Sequence, residues 1–145
     1  MLRTQDMDDR DAVLEANEAF YRAFESLDLT RMEGVWLHAA SITCVHPGWR
    51  LLRGWGPLMA SWQRIFANTV TMRFGITEAH VEVAGDLAWV VCTENLDSTH
   101  RNETVSAQLL ATNVFQRRDG RWWLVHHHAS PVSAQSSDAA PERMH

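Results

Sequence analysis

Residues 105–131 read VSAQLLATNVFQRRDGRWWLVHHHASP, two runs of apolar, aromatic and β-branched residues on either side of Asp119-Gly120. Such runs broken by Asp-Gly predict a β-hairpin, because a two-residue connection needs residues that tolerate positive φ. The strands are therefore read at 105–117 and 121–130. Working outward, 72–83 and 87–96 flank Gly85-Asp86 in the same way, and 97–103 reads as a polar loop. Four consecutive strands with no helix between them predict an antiparallel meander and argue against a doubly wound parallel sheet.

The first half of the chain has a different period. Val13, Ala16, Phe20, Phe24 and Leu27 recur every three or four residues, the spacing of one helix face, and Asp8, Asp9 and Asp11 lie where the dipole favours acids. Thr30-Arg31-Met32-Glu33 has the form of a capping box opening a second short helix that carries Val35, Trp36 and Leu37. A short strand is read at 41–46. His46-Pro47-Gly48-Trp49 then breaks regular structure, and Pro57 opens a third helix bearing Leu58, Trp62, Ile65 and Phe66. Helices followed by a meander predict a single α+β domain over residues 1–131, with an unfolded polar tail at 132–145.

Composition removes several functions. The chain has 145 residues and a net charge of −5, and every one of its thirteen basic residues is Arg. With no Lys, a Schiff-base enzyme, a lysine-bearing phosphate loop and a kinase-type ATP site are excluded. Eighteen acids against thirteen bases argue against nucleic-acid binding, and Arg117-Arg118 beside a turn reads as solvated charge. Cys44 and Cys92 sit in apolar runs without CxxC spacing and read as small buried hydrophobes. The start MLRTQDMDDRD reads as too polar for a signal h-region, no apolar run approaches the ~20 residues of a membrane span, and a cytoplasmic location is expected.

Three helices, HPGW at 46–49, GWGP at 54–57, ATNVF at 111–115 and the terminal DGRWWLVHHHASP together resemble the SnoaL-like branch of the nuclear transport factor 2-like superfamily. The resemblance covers residues 9–131. It implies a cone of three N-terminal helices packed on a curved antiparallel sheet, an apolar pocket for a small organic molecule, and frequent dimerisation through the sheet. It implies no cofactor. Fold alone does not choose among the isomerases, cyclases, dehydratases, transport factors and kinase association domains built on it.

Within that resemblance the ketosteroid isomerases give the sharpest comparison. Their carboxylate base falls on His46, their acid donor in the third long strand on Asn113, and their tyrosine donor on Phe20, which has no hydroxyl. Tyr21 lies about 100° further round the helix and is read as a poor substitute. His46 as base and Asn113 plus His126 or His128 as donors would support proton transfer next to a carbonyl. Phe20, Trp49, Trp62, His126 and His128 are read as ligand-binding. Strand parity places His126 and His128 with Trp122 and Leu124 on the helix side, and His127 outward at a subunit interface. It also groups Thr93 and Asn95, taken as inward, against Glu94. Trp122 and Trp123 point opposite ways, so both sheet faces are apolar and a homodimer through the sheet is expected. Two alternatives stand beside this reading: a non-catalytic oligomerisation module resembling the kinase association domain, and a metal-dependent enzyme using His46, His126 and His128.

Overall fold

The computed structural model describes residues 8–133. Helix α1 spans Asp9–Ser26, and the Asp8 carboxylate caps it by accepting from the Asp11 amide. Helix α2, Leu29–Glu33, is shorter than its sequence suggests: Asp28 rather than Thr30 is the cap, and Gly34 ends it. Val35, Trp36 and Leu37 therefore leave the helix and run beside the last strand, with Leu37 N–H donating to Leu124 and Leu124 N–H to Val35. Strands β1, Thr43–Val45, and β2, Leu52–Arg53, precede helix α3, Trp55–Ala67. Four long strands follow: β3 Thr71–Ala84, β4 Leu87–His100, β5 Glu103–Arg118 and β6 Arg121–Pro131. The polar tail expected at 132–145 lies outside the described residues from 134 onward.

The expected 97–103 loop is mostly strand. Ser98 and Thr99 pair with Val105 and Thr104, and His100 pairs with Glu103, leaving a two-residue turn in which Arg101 takes a φ of 42°. Polarity misled here because backbone pairing does not depend on the side chains being apolar.

All six strands form one sheet in the order β2-β1-β6-β5-β4-β3. It is mixed rather than antiparallel, because β1 runs parallel to β6, with Cys44 opposite His127. The third helix follows β1 and β2, so the helices are not all N-terminal to the sheet.

Helix α1 lies across the inner face. Phe20 and Tyr21 are adjacent in sequence yet both fully buried, because the helix is wedged between α3 and the sheet. Phe20 packs against Trp62 and His127, whereas Tyr21 packs against Phe74 of β3. Trp36, Phe24 and Leu124 complete the core.

The last hairpin contains an irregularity that controls everything downstream. Phe115 faces Leu124 but Val114 faces His126, so Val125 is an extra residue with no partner of its own. A β-bulge of this kind shifts side-chain parity by one position. Trp122 and Leu124 point inward before it, and His127 and Ala129 point inward after it. His126 is only half-buried and His128 is exposed, contrary to simple alternation.

Removal of the Phe20 ring should leave a cavity that α1, α3 and β6 cannot close together. Phe20→Ala is expected to lose about 3–5 kcal/mol of unfolding free energy in urea titration. A loss below about 1 kcal/mol would show that this packing is not central.

Candidate functional site

The inner face of β4, β5 and β6 carries a continuous buried polar network. Asn113, on β5, donates from Nδ2 to Asn17 Oδ1 at 2.9 Å and to the Tyr21 hydroxyl at 3.1 Å. Its Oδ1 lies 2.6 Å from His127 Nδ1. Because Asn113 donates twice from nitrogen, its oxygen is the acceptor and His127 Nδ1 carries the proton, which leaves the lone pair on Nε2. Tyr21 in turn donates to Glu94 Oε2 at 2.6 Å. A chain of hydrogen bonds thus runs Glu94, Tyr21, Asn113, His127.

Burial tunes these groups in opposite directions. Glu94 is 3% exposed, and removal from water raises its carboxyl to about 7 despite the opposing Tyr21 bond. Tyr21 is pushed far above the usual phenol range, first by burial and then by the Glu94 charge. His127 is held well below 6.5 by burial, reinforced by the neighbouring imidazoles, so it is neutral at pH 7. Both cysteines are free and buried, and burial raises both thiols, as expected of small hydrophobic side chains rather than nucleophiles.

His46 forms a second centre at the end of β1. Ser61, on α3, donates its hydroxyl to Leu58 O at 2.7 Å and therefore accepts from His46 Nε2 at 2.9 Å. Among the described residues the Nδ1 lone pair then meets the Cys44 sulfur at 3.9 Å, a sulfur that also lies 3.7 Å from Nε2. Desolvation lowers His46 to about 4, so it too is neutral at pH 7. Trp62 stands between the two centres, with ring centroids 4.7 Å from His46 and 6.2 Å from His127. The buried Trp62 and Trp36 indole N–H groups have no acceptor among the described residues. A buried donor left unpaired costs about 1–3 kcal/mol, which marks Trp62 as a candidate ligand contact.

The expected site residues fall into two groups. His46, Asn113, Phe20 and Trp62 converge on the inner face, and the half-buried Trp49 reaches it from outside, 4.9 Å from His46. His126 and His128 do not converge. The bulge at Val125 turns them to the outer face, where His126 Nδ1 lies 2.7 Å from the Thr43 hydroxyl, so the three-imidazole set with His46 is not assembled. Among the described residues no group of three or more His, Cys, Asp or Glu side chains is placed to hold a metal.

Three further readings are corrected. His127 is the buried imidazole, not an outward one. Glu94 is the inward residue of β4, whereas Asn95 faces out and donates to Gly75 O and Thr77. Tyr21, rather than being misdirected, places its hydroxyl at the centre of the network. Of these, Glu94 had a readable signal, since it shares parity with Val90 and Cys92.

Three surface clefts lie outside this network. One of about 290 Å³ runs between α1 and the last hairpin past Ala16, Phe115 and Arg121. Another of about 280 Å³ is lined by Trp49, Arg64, Ile65, Asn68, Thr69 and His100, and it shares Asn68 and His100 with one of about 650 Å³ at the β4–β5 turn. The Trp49 cleft contains a residue that touches His46.

The chain belongs to the SnoaL-like domain family, whose model matches residues 13–134. A proposed dehydratase of the nuclear transport factor 2-like family from Streptomyces avermitilis is 42% identical over 87% of this chain and 97% of its own, with a TM-score of 0.82. A proposed calcium/calmodulin-dependent protein kinase type II association domain from Thiobacillus denitrificans is 32% identical, covers 81% of this chain and 93% of its own, and has a TM-score of 0.73. F-box protein SKIP8 of Arabidopsis thaliana is 29% identical over 119 residues, which is 82% of this chain. The chain spans about half the length of that curated relative, 49%. The fold is thus α+β and nuclear transport factor 2-like, a class whose members often bind small molecules and form dimers. Among the described residues no helix is long and apolar enough to cross a membrane.

The raised carboxyl of Glu94 has a defined effect on stability. Between 4.5, its ordinary value, and about 7 the folded protein keeps a proton the unfolded chain has lost. Its contribution is complete below pH 4.5 and is lost as pH rises through 7. His46 acts oppositely, stabilising above pH 6.5 and losing its contribution as pH falls through about 4. The difference between wild type and Glu94→Gln isolates the carboxyl. Relative to the variant, wild-type unfolding free energy in urea should fall by about 3 kcal/mol between pH 4.5 and 8. A difference independent of pH would show that Glu94 titrates normally.

Proposed function

We propose that this chain binds a small, largely apolar carbonyl compound and moves a proton at the carbon next to the carbonyl. The observation that carries the reading is the pairing of a neutral, tautomer-fixed His46, whose Nδ1 faces the weak Cys44 thiol donor at 3.9 Å, with the acceptor-less N–H of Trp62, the two rings meeting edge to face at 4.7 Å between centroids. His46 takes the proton. Trp62 N–H holds the oxygen on which negative charge develops, the role that Phe20 cannot fill. Asn113 fixes the orientation of His127 behind Trp62, and Glu94, near 7, is the group of the network that can gain or release a proton at physiological pH. Trp49 guards the approach to His46.

The same reading includes a homodimer formed through the outer sheet face. Trp89, Val91 and Leu110 are 38%, 39% and 51% exposed there, an apolar patch that a second copy would cover. A second reading, a larger non-catalytic assembly, is favoured by the 32% identity to the association domain from Thiobacillus denitrificans.

The test begins with thermal shifts against flat cyclic ketones. A ligand at 100 times its dissociation constant should add about 2.7 kcal/mol, a shift of several degrees for a domain of this size. Turnover of a stabilising ketone should vanish in His46→Ala while the shift remains; unchanged turnover in that variant would sink the proposal. Light scattering should give twice the 16.5 kDa chain mass, and Leu110→Arg should halve it. Assemblies larger than a dimer, unmoved by every ketone, would favour the second reading.

A further inference from the structure

We propose that the cleft at Trp49 is an acid-recognition subsite, in which Arg64 selects small aromatic or unsaturated carboxylic acids as ligands. The inference rests on the proposed function to the extent that the ligand reaches His46 past Trp49, and it narrows the ligand class to a carbonyl compound that also carries a carboxylate.

Arg64 lies in the last turn of α3 with its guanidinium 5.3 Å from the centre of the Trp49 ring. Cation–π attraction to an indole holds a guanidinium near the ring while its N–H groups remain free to bond a ligand. Among the described residues the ion pairs involve Arg22 and Arg117, and no acidic side chain or carbonyl accepts from Arg64. An uncommitted, oriented fork of N–H donors is the geometry that binds a carboxylate through two parallel hydrogen bonds.

The rest of the cleft suits the body of such a ligand. Trp49 and Ile65 supply apolar wall, and about 280 Å³ accommodates a single ring with a short side chain. The end of α3 would ordinarily disfavour an anion through its exposed carbonyls. Here several of those carbonyls are occupied. Arg64 O accepts from Asn68 Nδ2, Ile65 O from the Asn68 amide and the Thr69 hydroxyl, Phe66 O from the Thr69 amide, and Asn68 O from His100 Nδ1. At the neighbouring turn, Arg101 and Glu103 offset each other, so Arg64 supplies the net charge of the cleft. Trp49 touches His46 directly, which connects the acid-binding fork to the inner face.

The experiment uses benzoate and cinnamate with their uncharged amides as probes, titrated calorimetrically into the full chain at low and high salt. One of the acids should bind in the millimolar range or tighter, lose affinity with salt, and exceed its amide by about tenfold or more. Arg64→Gln should abolish that preference while leaving amide binding unchanged, and Arg64→Lys should restore part of it. Arg64 is exposed, so these variants should keep the wild-type melting temperature. Absence of acid binding at millimolar concentration, equal binding of acid and amide, or undiminished acid binding in Arg64→Gln would each overturn the subsite. Ketone turnover lost in His46→Ala without any Arg64-dependent acid binding would overturn the subsite and retain the proposed function. Arg64-dependent acid binding without His46-dependent turnover would do the reverse.

Discussion

One extra residue in the last strand, Val125, sets the chemistry of the interior. Without that bulge, alternation from Trp122 and Leu124 would carry His126 and His128 into the core and leave His127 outside. With it, a single imidazole enters, meets Asn113 at 2.6 Å, and closes the chain of hydrogen bonds that reaches Glu94 through Tyr21. Two outward imidazoles remain, one of them bonded to Thr43. The bulge therefore decides between a metal-type histidine cluster and a proton-holding network, a choice made by backbone register rather than by residue type.

The network explains how so many polar groups survive in an aromatic core. Asn17, Glu94, Asn113 and His127 are each nearly inaccessible, and burying any one of them alone would be costly. Joined in one chain, each donor finds an acceptor, and the carboxyl stays partly protonated near neutral pH while the imidazoles stay uncharged. Opposite displacements of carboxyl and imidazole within one small volume are the usual mark of acid and base roles being separated. His46 and Ser61 form a second, smaller arrangement on the other side of Trp62, so that this indole adjoins both.

Much of the fold was legible because it depends on local chemistry. The Asp119-Gly120 and Gly85-Asp86 turns, the period of α1 and the break at Pro47 each follow from φ preferences, missing donors and side-chain spacing. The capping box at Thr30 misled because Asp28 offers an earlier cap, and the polar stretch at 97–103 misled because strand pairing tolerates polar side chains. His46, Asn113 and Phe20 were legible as inner residues through their alignment with a known pattern, and Trp62 through its helical spacing. Tyr21 was not, because a helix packed on two sides buries a face wider than a single stripe.

The sequence by itself determined the periods of the main helices and strands, the meander and the identity of the residues available for chemistry, since composition and short-range spacing suffice for these, and its HPGW, ATNVF and HHHASP motifs carried the resemblance to the SnoaL-like family. Only the tertiary structure decided which of three adjacent histidines turns inward, that Glu94 rather than Asn95 joins the core, that β1 runs parallel to β6, and that Arg64 lies over Trp49. Each of these depends on register between segments distant in sequence. A shift of one residue there exchanges the two faces of a strand without altering any local preference.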